Sequence, residues 1–404
     1  MIGQKSKSKL DWGFLLLLSS SYFSGTIILQ GLQSLMPFFQ SDFNLSRAQV
    51  GLYSTAFFIT ATIAAIYSGQ LVDKIGSKNG MLLSGLMMGI FVILHSLTSS
   101  FAILLVFASF TGLGFSVISP ALNKAVIDES PPDKVGLSMG IMQSGGGVGS
   151  FVGASLLPVL AVAYGWRLAV ILAGLNSILI LFLVKFKLPD DFGVSNYQNE
   201  DQGNLSEKVK LLFANKSMLL VCFLGLILGT SSGTIPNHYT LYLTMDLGFT
   251  PQMAGLMLGV LQIGGLFGRI FWAWLSDKLH RNKRHLSFLY LIITISLLYI
   301  FYSYFIWRAA ALTWLIFIFS FFLGTAAMGW MGLYFTVVGE RSSSEMTGLA
   351  TGLSLIFIRL GVLVSPPVFG LIADQFDHYN YSWLVLAIFT FVGGMILYFQ
   401  ERKI

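Results

Sequence analysis

The feature that most constrains this chain is a succession of long apolar runs separated by short polar breaks. A helix of about 20 apolar residues crosses roughly 30 Å of hydrocarbon. No water reaches the backbone there, so each N–H and C=O has to be satisfied within the crossing segment, and helices do this. Twelve such spans can be placed: 12–38, 47–72, 80–98, 101–126, 135–162, 167–187, 217–244, 252–276, 285–306, 310–338, 347–373 and 381–399. Composition agrees, since only 10% of residues are charged, against about 25% in an ordinary soluble domain. A mean hydropathy of +0.76 points the same way. The expected fold class is an all-α membrane protein of twelve transmembrane helices. A removable signal peptide is the competing reading of residues 1–25, but the first apolar run continues well past signal length to Phe39. The single Cys222 excludes a disulfide framework and every multi-cysteine metal or redox motif.

The formal charge of +6 is explained by topology, and no nucleic-acid partner is expected. With the N-terminus inside, 18 of the 24 Lys and Arg fall on one side of the membrane, among them Lys5, Lys74, Lys78, Lys187, Lys278, Arg281 and Arg341. Only Arg47, Arg167 and Arg308 fall on the other. By the positive-inside rule both termini are cytoplasmic, as an even number of spans requires. The expected location is the cytoplasmic (inner) membrane of a bacterium.

The longest polar stretch, near 188–216, divides the chain into a six-span half at 1–187 and a second at 217–404. An internal repeat supports the division. Gly69-Gln-Leu-Val-Asp73-Lys74 matches Ala273-Trp-Leu-Ser-Asp277-Lys278 at an offset of 204, and Asp128, Gly136, Gly140 and Gly149 match Glu340, Gly348, Gly352 and Gly361 at an offset of 212. Two related six-helix halves are a signature of secondary transporters, in which one half rocks against the other.

With these residues in view, the whole chain resembles the major facilitator superfamily. Gly69-x-x-x-Asp73-Lys74-x-Gly76-x-Lys78 is similar to that superfamily's cytoplasmic signature between helices two and three, with Asn79 replacing its usual final basic residue. Asp277-Lys278, followed by Arg281, Lys283 and Arg284, resembles a degenerate second copy. An Asp at a helix end that pairs with basic side chains can serve as a latch made in one state and broken in another; a static capping turn is the alternative. Two departures matter. Ala108 stands where many proton-coupled members carry an Arg, four residues before Gly112-Leu113-Gly114. The run Gly145-Gly146-Gly147-Val148-Gly149 lacks the Gly-Pro pair of drug:proton antiporters, which argues against drug export.

All 18 acidic residues fall in loops, termini or span ends, whereas two arginines lie deep in spans. At about 1.5 Å per residue, Arg269 sits roughly 12 Å in from Asp277, and Arg359 about 18 Å into span eleven. A charge near the midplane costs at least about 2.5 kcal/mol unless it meets water or a partner. With no carboxylate at that depth, the simplest partner is an anionic substrate, because the guanidinium fork binds a carboxylate bidentately. Snorkelling or bonding to backbone carbonyls is the alternative. Arg269, four residues before Ala273, resembles the substrate-binding Arg on helix eight of monocarboxylate carriers and oxalate:formate exchangers. Arg359 is similar in position to the exchangers' basic residue on helix eleven. Gly329-Trp330, Pro366-Pro367 and Gly370 resemble the cyanate-permease-like anion importers.

Helical spacing supplies further candidates. Gln262, Gly265, Arg269 and Trp272 share one face of span eight, and Ser231, Thr234, His238 and Tyr242 share one face of span seven, with Asn237 beside them. Tyr22, Thr26, Gln30 and Gln33 form a stripe on span one, and Gln143 precedes the glycine run of span five. The expected substrate-contacting set is Arg269, Arg359, His238, Tyr242, Gln262, Gln30, Gln33, Gln143, Asn237 and Trp330. The expected latch set is Gly69, Asp73, Lys74, Gly76, Lys78, Asp277, Lys278 and Arg281. Inter-helix hydrogen bonding is the alternative for each polar stripe. His238, read as the single histidine within a span, is a candidate for proton-linked gating, and Lys124 is assigned to snorkelling.

The resulting expectation is an alternating-access secondary transporter for a small organic anion, a mono- or dicarboxylate, with a co-transported proton or exchange for a second anion left open. A monomer in the lipid bilayer is expected, with no cofactor and no metal. An enzyme is disfavoured because no nucleophile, metal cluster or phosphate-binding loop appears. The alternatives are a carrier of amino acids or sugar phosphates, or a non-transporting receptor on the same scaffold.

Overall fold

The computed structural model describes residues 10–189, 192, 215–280, 283–306, 312–342 and 347–401. Arg281 and most of the stretch 188–216 lie outside the described residues. Within them the chain is helical, with no strand. The helices are α1 (Trp12–Ser34), α2 (Met36–Phe43), α3 (Arg47–His95), α4 (Phe101–Glu129), α5 (Val135–Tyr164), α6 (Trp166–Lys187), α7 (Lys216–Leu241), α8 (Pro251–Leu279), α9 (Arg284–Ile300), α10 (Thr313–Ala327), α11 (Met331–Arg341), α12 (Thr347–Phe376) and α13 (Asn380–Glu401). Single π turns extend α7 over Tyr242–Asp246 and α9 over Phe301–Phe305.

Side-chain caps set several starts. Asp11 accepts from the Phe14 amide at 3.0 Å, Asn215 from Met218 at 3.2 Å, and Thr250 from Met253 at 3.4 Å with Pro251 in the first turn. Ser46 and Gln49 bond reciprocally at the start of α3.

Eleven segments of the described residues are long and apolar enough to span a membrane. One of them, α3, has 49 residues and would measure about 74 Å, more than twice the hydrocarbon thickness. It is broken at Gly76, whose φ of 85° and ψ of 160° belong to a region open in practice only to glycine. Spans two and three are therefore the two parts of α3, and the twelve crossings expected from the sequence are present. The tenth crossing departs from a simple span, because it is interrupted at Met328–Trp330 and restarts as α11.

The described residues form two compact units, one before residue 39 and from 56 to 192, the other from 39 to 55 and from 215 onward. The segment Phe39–Thr55, part of the first sequence half, thus packs with the second unit. Each unit repeats the same pairings. In the first, α1 packs on α5, the early part of α3 on α4, and the later part of α3 on α6. In the second, α7 packs on α12, α8 on α10, and α9 on α13. This is the structural form of the sequence repeat.

Small residues let these helices touch backbone to backbone. A Cβ on Gly145, Gly149 or Gly153 of α5 would lie 2.2–2.4 Å from the carbonyls of Ser19, Phe23 and Ile27 on α1. Gly229 and Gly233 of α7 meet the carbonyls of Ile358 and Val362 on α12 in the same way. The outward surface is apolar, with Ile66, Ile270 and Val364 more than half exposed in the isolated chain, as lipid contact requires.

Candidate functional site

The repeated Asp motifs lie at the helix ends predicted to face the cytoplasm, and each unit builds an ion pair on them. In the first, the Lys124 amine on α4 lies 2.6 Å from Asp73 Oδ1. Lys124 is thus held by a carboxylate, which corrects its assignment to snorkelling. Its place in the sequence, one turn before Asp128, was the available signal. In the second, Arg284 at the start of α9 joins two carboxylates. Its Nε lies 2.8 and 2.7 Å from the Glu340 oxygens, and its Nη1 donates to Asp277 at 2.8 Å and to Ser276 Oγ at 3.2 Å. The repeat had already matched Glu340 with Asp128. The cation differs between units: it comes from α4 in one and from the segment after Asp277 in the other.

The remaining motif residues have separate tasks. Gly76 supplies the backbone break. Lys78, 3% exposed, donates from its amine to the Leu188 carbonyl at 2.6 Å and so caps the end of α6. A Cβ on Gly69 would meet no atom within 4 Å, so its packing does not require glycine. Lys74 is exposed. Lys278 stands over the Trp274 ring at 4.9 Å.

The two mid-helix arginines, Arg269 and Arg359, are both in the second unit. Arg269 is exposed on α8, two turns after half-buried Gln262, and both project from a side of the helix other than that carrying Ile263, Ile270 and Trp274. The backbone at Arg269 abuts the interruption of the tenth crossing. A Cβ on Gly332 would lie 2.5 Å from the Arg269 carbonyl, and one on Gly329 would lie 2.6 Å from Gly268 Cα. Trp330, fully buried at the start of α11, has an indole N–H without a hydrogen-bond partner. Trp272 on α8 donates its indole N–H to the Thr325 carbonyl at 2.9 Å. Arg359, half-buried, follows Ile358 on α12. That helix and α8 both pack against α11, the short helix that resumes the tenth crossing. Each described carboxylate lies near a helix end, as the sequence implies.

The polar stripe of α7 serves the interior of the second unit. His238 is fully buried. Its Nε2 lies 2.9 Å from the Pro366 carbonyl, which can only accept, so that nitrogen carries the proton. Its Nδ1 lies 3.2 Å from the Tyr379 hydroxyl, and burial pushes that hydroxyl well above the usual tyrosine range. Tyr242 donates to the Tyr302 carbonyl at 2.6 Å, and Tyr299 donates to Ser231 at 2.6 Å. The Asn237 amide donates to Ser54 Oγ at 2.8 Å and to the Gly233 carbonyl at 2.6 Å. His95 at the end of α3 is a second buried histidine within a span, which corrects the reading of His238 as the single one.

In the first unit Gln30 and Gln33 are buried on α1, the Gln33 carbonyl oxygen lacking a partner, while Gln143 on α5 is exposed. Arg47, sorted to the external side in the sequence, is a buried side chain paired with Asp374 and with the exposed Asp377, all within the second unit.

Comparison with known proteins accords with this architecture. The chain is 26% identical over 398 residues to an uncharacterized transporter of Buchnera aphidicola, covering 96% of this chain and 92% of that one. It is 24% identical to the Cupriavidus necator protein named "Probable sulfoacetate transporter SauU", covering 93% and 90%, and 21% identical to the hexuronate transporter of Bacillus subtilis, covering 88% and 86%. In three dimensions it is similar to an inward-facing bacterial homologue of the human lysosomal transporter Spinster, with a TM-score of 0.83, 16% identity and 97% of each chain covered. Residues 15–353 match the Major Facilitator Superfamily as a family, and the chain is a multi-pass membrane transporter belonging to it.

Proposed function

We propose that this transporter carries a small organic anion, a mono- or dicarboxylate, through the cytoplasmic membrane, and that Arg269 and Arg359 bind it. The observation that supports this reading is that Arg269 and Arg359 stand mid-helix on α8 and α12, the two helices that pack against α11. Guanidinium is suited to carboxylates, sulfonates and phosphates because its N–H fork matches two oxygens at once. Two of the named relatives are described as transporters of anions, sulfoacetate and hexuronate, which supports the same class. Gln262 lies two turns from Arg269 on the same side of α8 and is proposed to contact the bound solute. Gln30, Gln33 and Gln143 remain the candidates in the first unit. His238 and Tyr242 are not carried forward, since their polar atoms are engaged inside the second unit; Asn237 stays a candidate, because its amide N–H groups are taken by Ser54 and Gly233 while its Oδ1 has no partner. Both termini are proposed to be cytoplasmic from the distribution of Lys and Arg.

The test is uptake by the purified protein, as a monomer, in liposomes. Labelled sulfoacetate, a hexuronate and a C2–C4 dicarboxylate are compared with a neutral sugar and a neutral amino acid. Uptake of one or more anions with none of the neutral solutes is the expected result. Uptake confined to neutral solutes contradicts the proposal. An imposed pH gradient then separates proton-linked uptake from exchange, which depends on anion loaded inside.

A further inference from the structure

The first unit holds a cavity of about 720 Å³ beside the start of α1. Three charged residues at helix ends stand around it: Asp11, which caps α1, Glu129, the last residue of α4, and Lys187, the last residue of α6. Between them the wall is apolar, with Leu16 and Leu17 contributed by α1 and Leu183 by α6, one turn before Lys187. Leu183 also ends an exposed stripe, since Leu172, Leu175, Leu179 and Leu183 follow one another at helical spacing along α6. An exposed row of leucines on a membrane-spanning helix lies against acyl chains. The stripe therefore leads from the hydrocarbon into the cavity and finishes on a lysine. Trp12, exposed at the start of α1, is of the type that settles at the level of the headgroups.

The charges at the mouth do not neutralise each other. Asp11 and Lys187 are exposed, and neither enters an ion pair among the described residues. Asp11 takes the Phe14 amide on Oδ1 at 3.0 Å, which leaves Oδ2 for another donor. A ligand that complements this mouth carries an anion for Lys187, a cation for Asp11 and Glu129, and hydrocarbon for the leucines. The organic anion of the transport reading does not fit, because two carboxylates at one mouth repel it. We propose that the cavity binds a membrane phospholipid whose headgroup carries a primary amine beside the phosphate, as phosphatidylethanolamine does. Its phosphate meets Lys187, its ammonium meets Asp11 and Glu129, and an acyl chain follows the leucine stripe of α6. This depends on the chain spanning a bilayer and not on which solute is carried.

The test is native mass spectrometry of the full chain in detergent, titrated with phosphatidylethanolamine or with phosphatidylglycerol of the same acyl chains, which has the phosphate without the amine. The first ethanolamine lipid should bind about fivefold more tightly than the first glycerol lipid, a ratio equivalent to ~1 kcal/mol. Lys187→Ala should weaken both lipids about fivefold. Asp11→Asn, which keeps a capping oxygen for Phe14, should weaken the ethanolamine lipid alone. Lys185→Ala is the control, because that residue projects from the other side of α6 and does not line the cavity; it should weaken neither. Equal binding of the two lipids by the parent protein overturns the proposal, as does unchanged binding of the ethanolamine lipid by Asp11→Asn. An equal loss in Lys185→Ala and Lys187→Ala also overturns it, since that reports a general attraction of lysines for phosphate. Displacement of the lipid by an equal concentration of O-phosphoethanolamine, the headgroup without chains, would replace the phospholipid with a soluble ligand and overturn it too.

Discussion

Arg284→Ala should destabilise the second unit more than Lys124→Ala destabilises the first, although both remove the cation from a repeated Asp motif. The Arg284 side chain is 10% exposed and bonds to two carboxylates and a hydroxyl. A hydrogen bond to a charged group contributes about 1.5–3 kcal/mol when well shielded. Asp277 and Glu340 are 61% and 50% exposed, so water screens both, and each pair falls towards the ~1 kcal/mol of surface pairs. Their sum, with the repulsion left between two carboxylates that have lost their shared cation, is about 1–3 kcal/mol. Lys124 makes one bond to an Asp73 that is 58% exposed, and its loss should cost no more than about 1 kcal/mol. Arg284→Lys should recover only part of the loss, because one ammonium nitrogen cannot replace both the Nε contact to Glu340 and the Nη1 contacts to Asp277 and Ser276. The assay is the thermal unfolding midpoint of each purified variant in one detergent, followed by tryptophan fluorescence. Equal midpoints for the two alanine variants, or the reverse order, would refute the reasoning. Full recovery by lysine would do the same.

Three further outcomes follow from single residues. Gly76→Ala forces a Cβ into a backbone region that non-glycine residues avoid and should cost about 1–3 kcal/mol, read from loss of helical circular dichroism on heating; an unchanged melt would show that α3 can break elsewhere. Gly149→Val puts a side chain 2.3 Å from the Phe23 carbonyl and the Thr26 hydroxyl, and this overpacking should cost about 1–3 kcal/mol, measured as resistance to SDS unfolding. His238→Phe removes the extra donor to the Pro366 carbonyl and strands the buried Tyr379 hydroxyl, at about 1–3 kcal/mol. It should lower the melting temperature while leaving the shape of the pH profile of uptake unchanged; a displaced profile would restore His238 as a titrating gate.

Span number, the repeat and the positions of Asp73 and Asp277 were legible in the sequence because length, hydropathy and charge determine them directly. The direction of the polar stripes was not. In a soluble helix the polar side faces water, but in a membrane a polar side chain can face a neighbouring helix equally well. Ser231, His238 and Tyr242 do so, each engaged by a partner from α9, α12 or the chain just after α12 that no local pattern reveals. Pairs distant in sequence were hidden for the same reason. Lys124 and Asp73 meet across the contact of α3 with α4, and Arg47 meets Asp374 more than 300 residues away. The interruption of the tenth crossing at Met328–Trp330 leaves hydropathy unbroken, so it appears only once Gly329 and Gly332 are seen against α8.

Arg269 and Arg359 of the second unit are proposed to hold the anion during transport. The most direct test is uptake of the best anion from the liposome screen by Arg269→Ala and Arg359→Ala, with reconstitution and unfolding midpoint matched to the parent protein. Each variant should lose at least about a hundredfold in uptake, the loss of a hydrogen-bonded charge pair worth ~2.7 kcal/mol. Parent-level uptake by both variants, correctly inserted, would contradict the proposal.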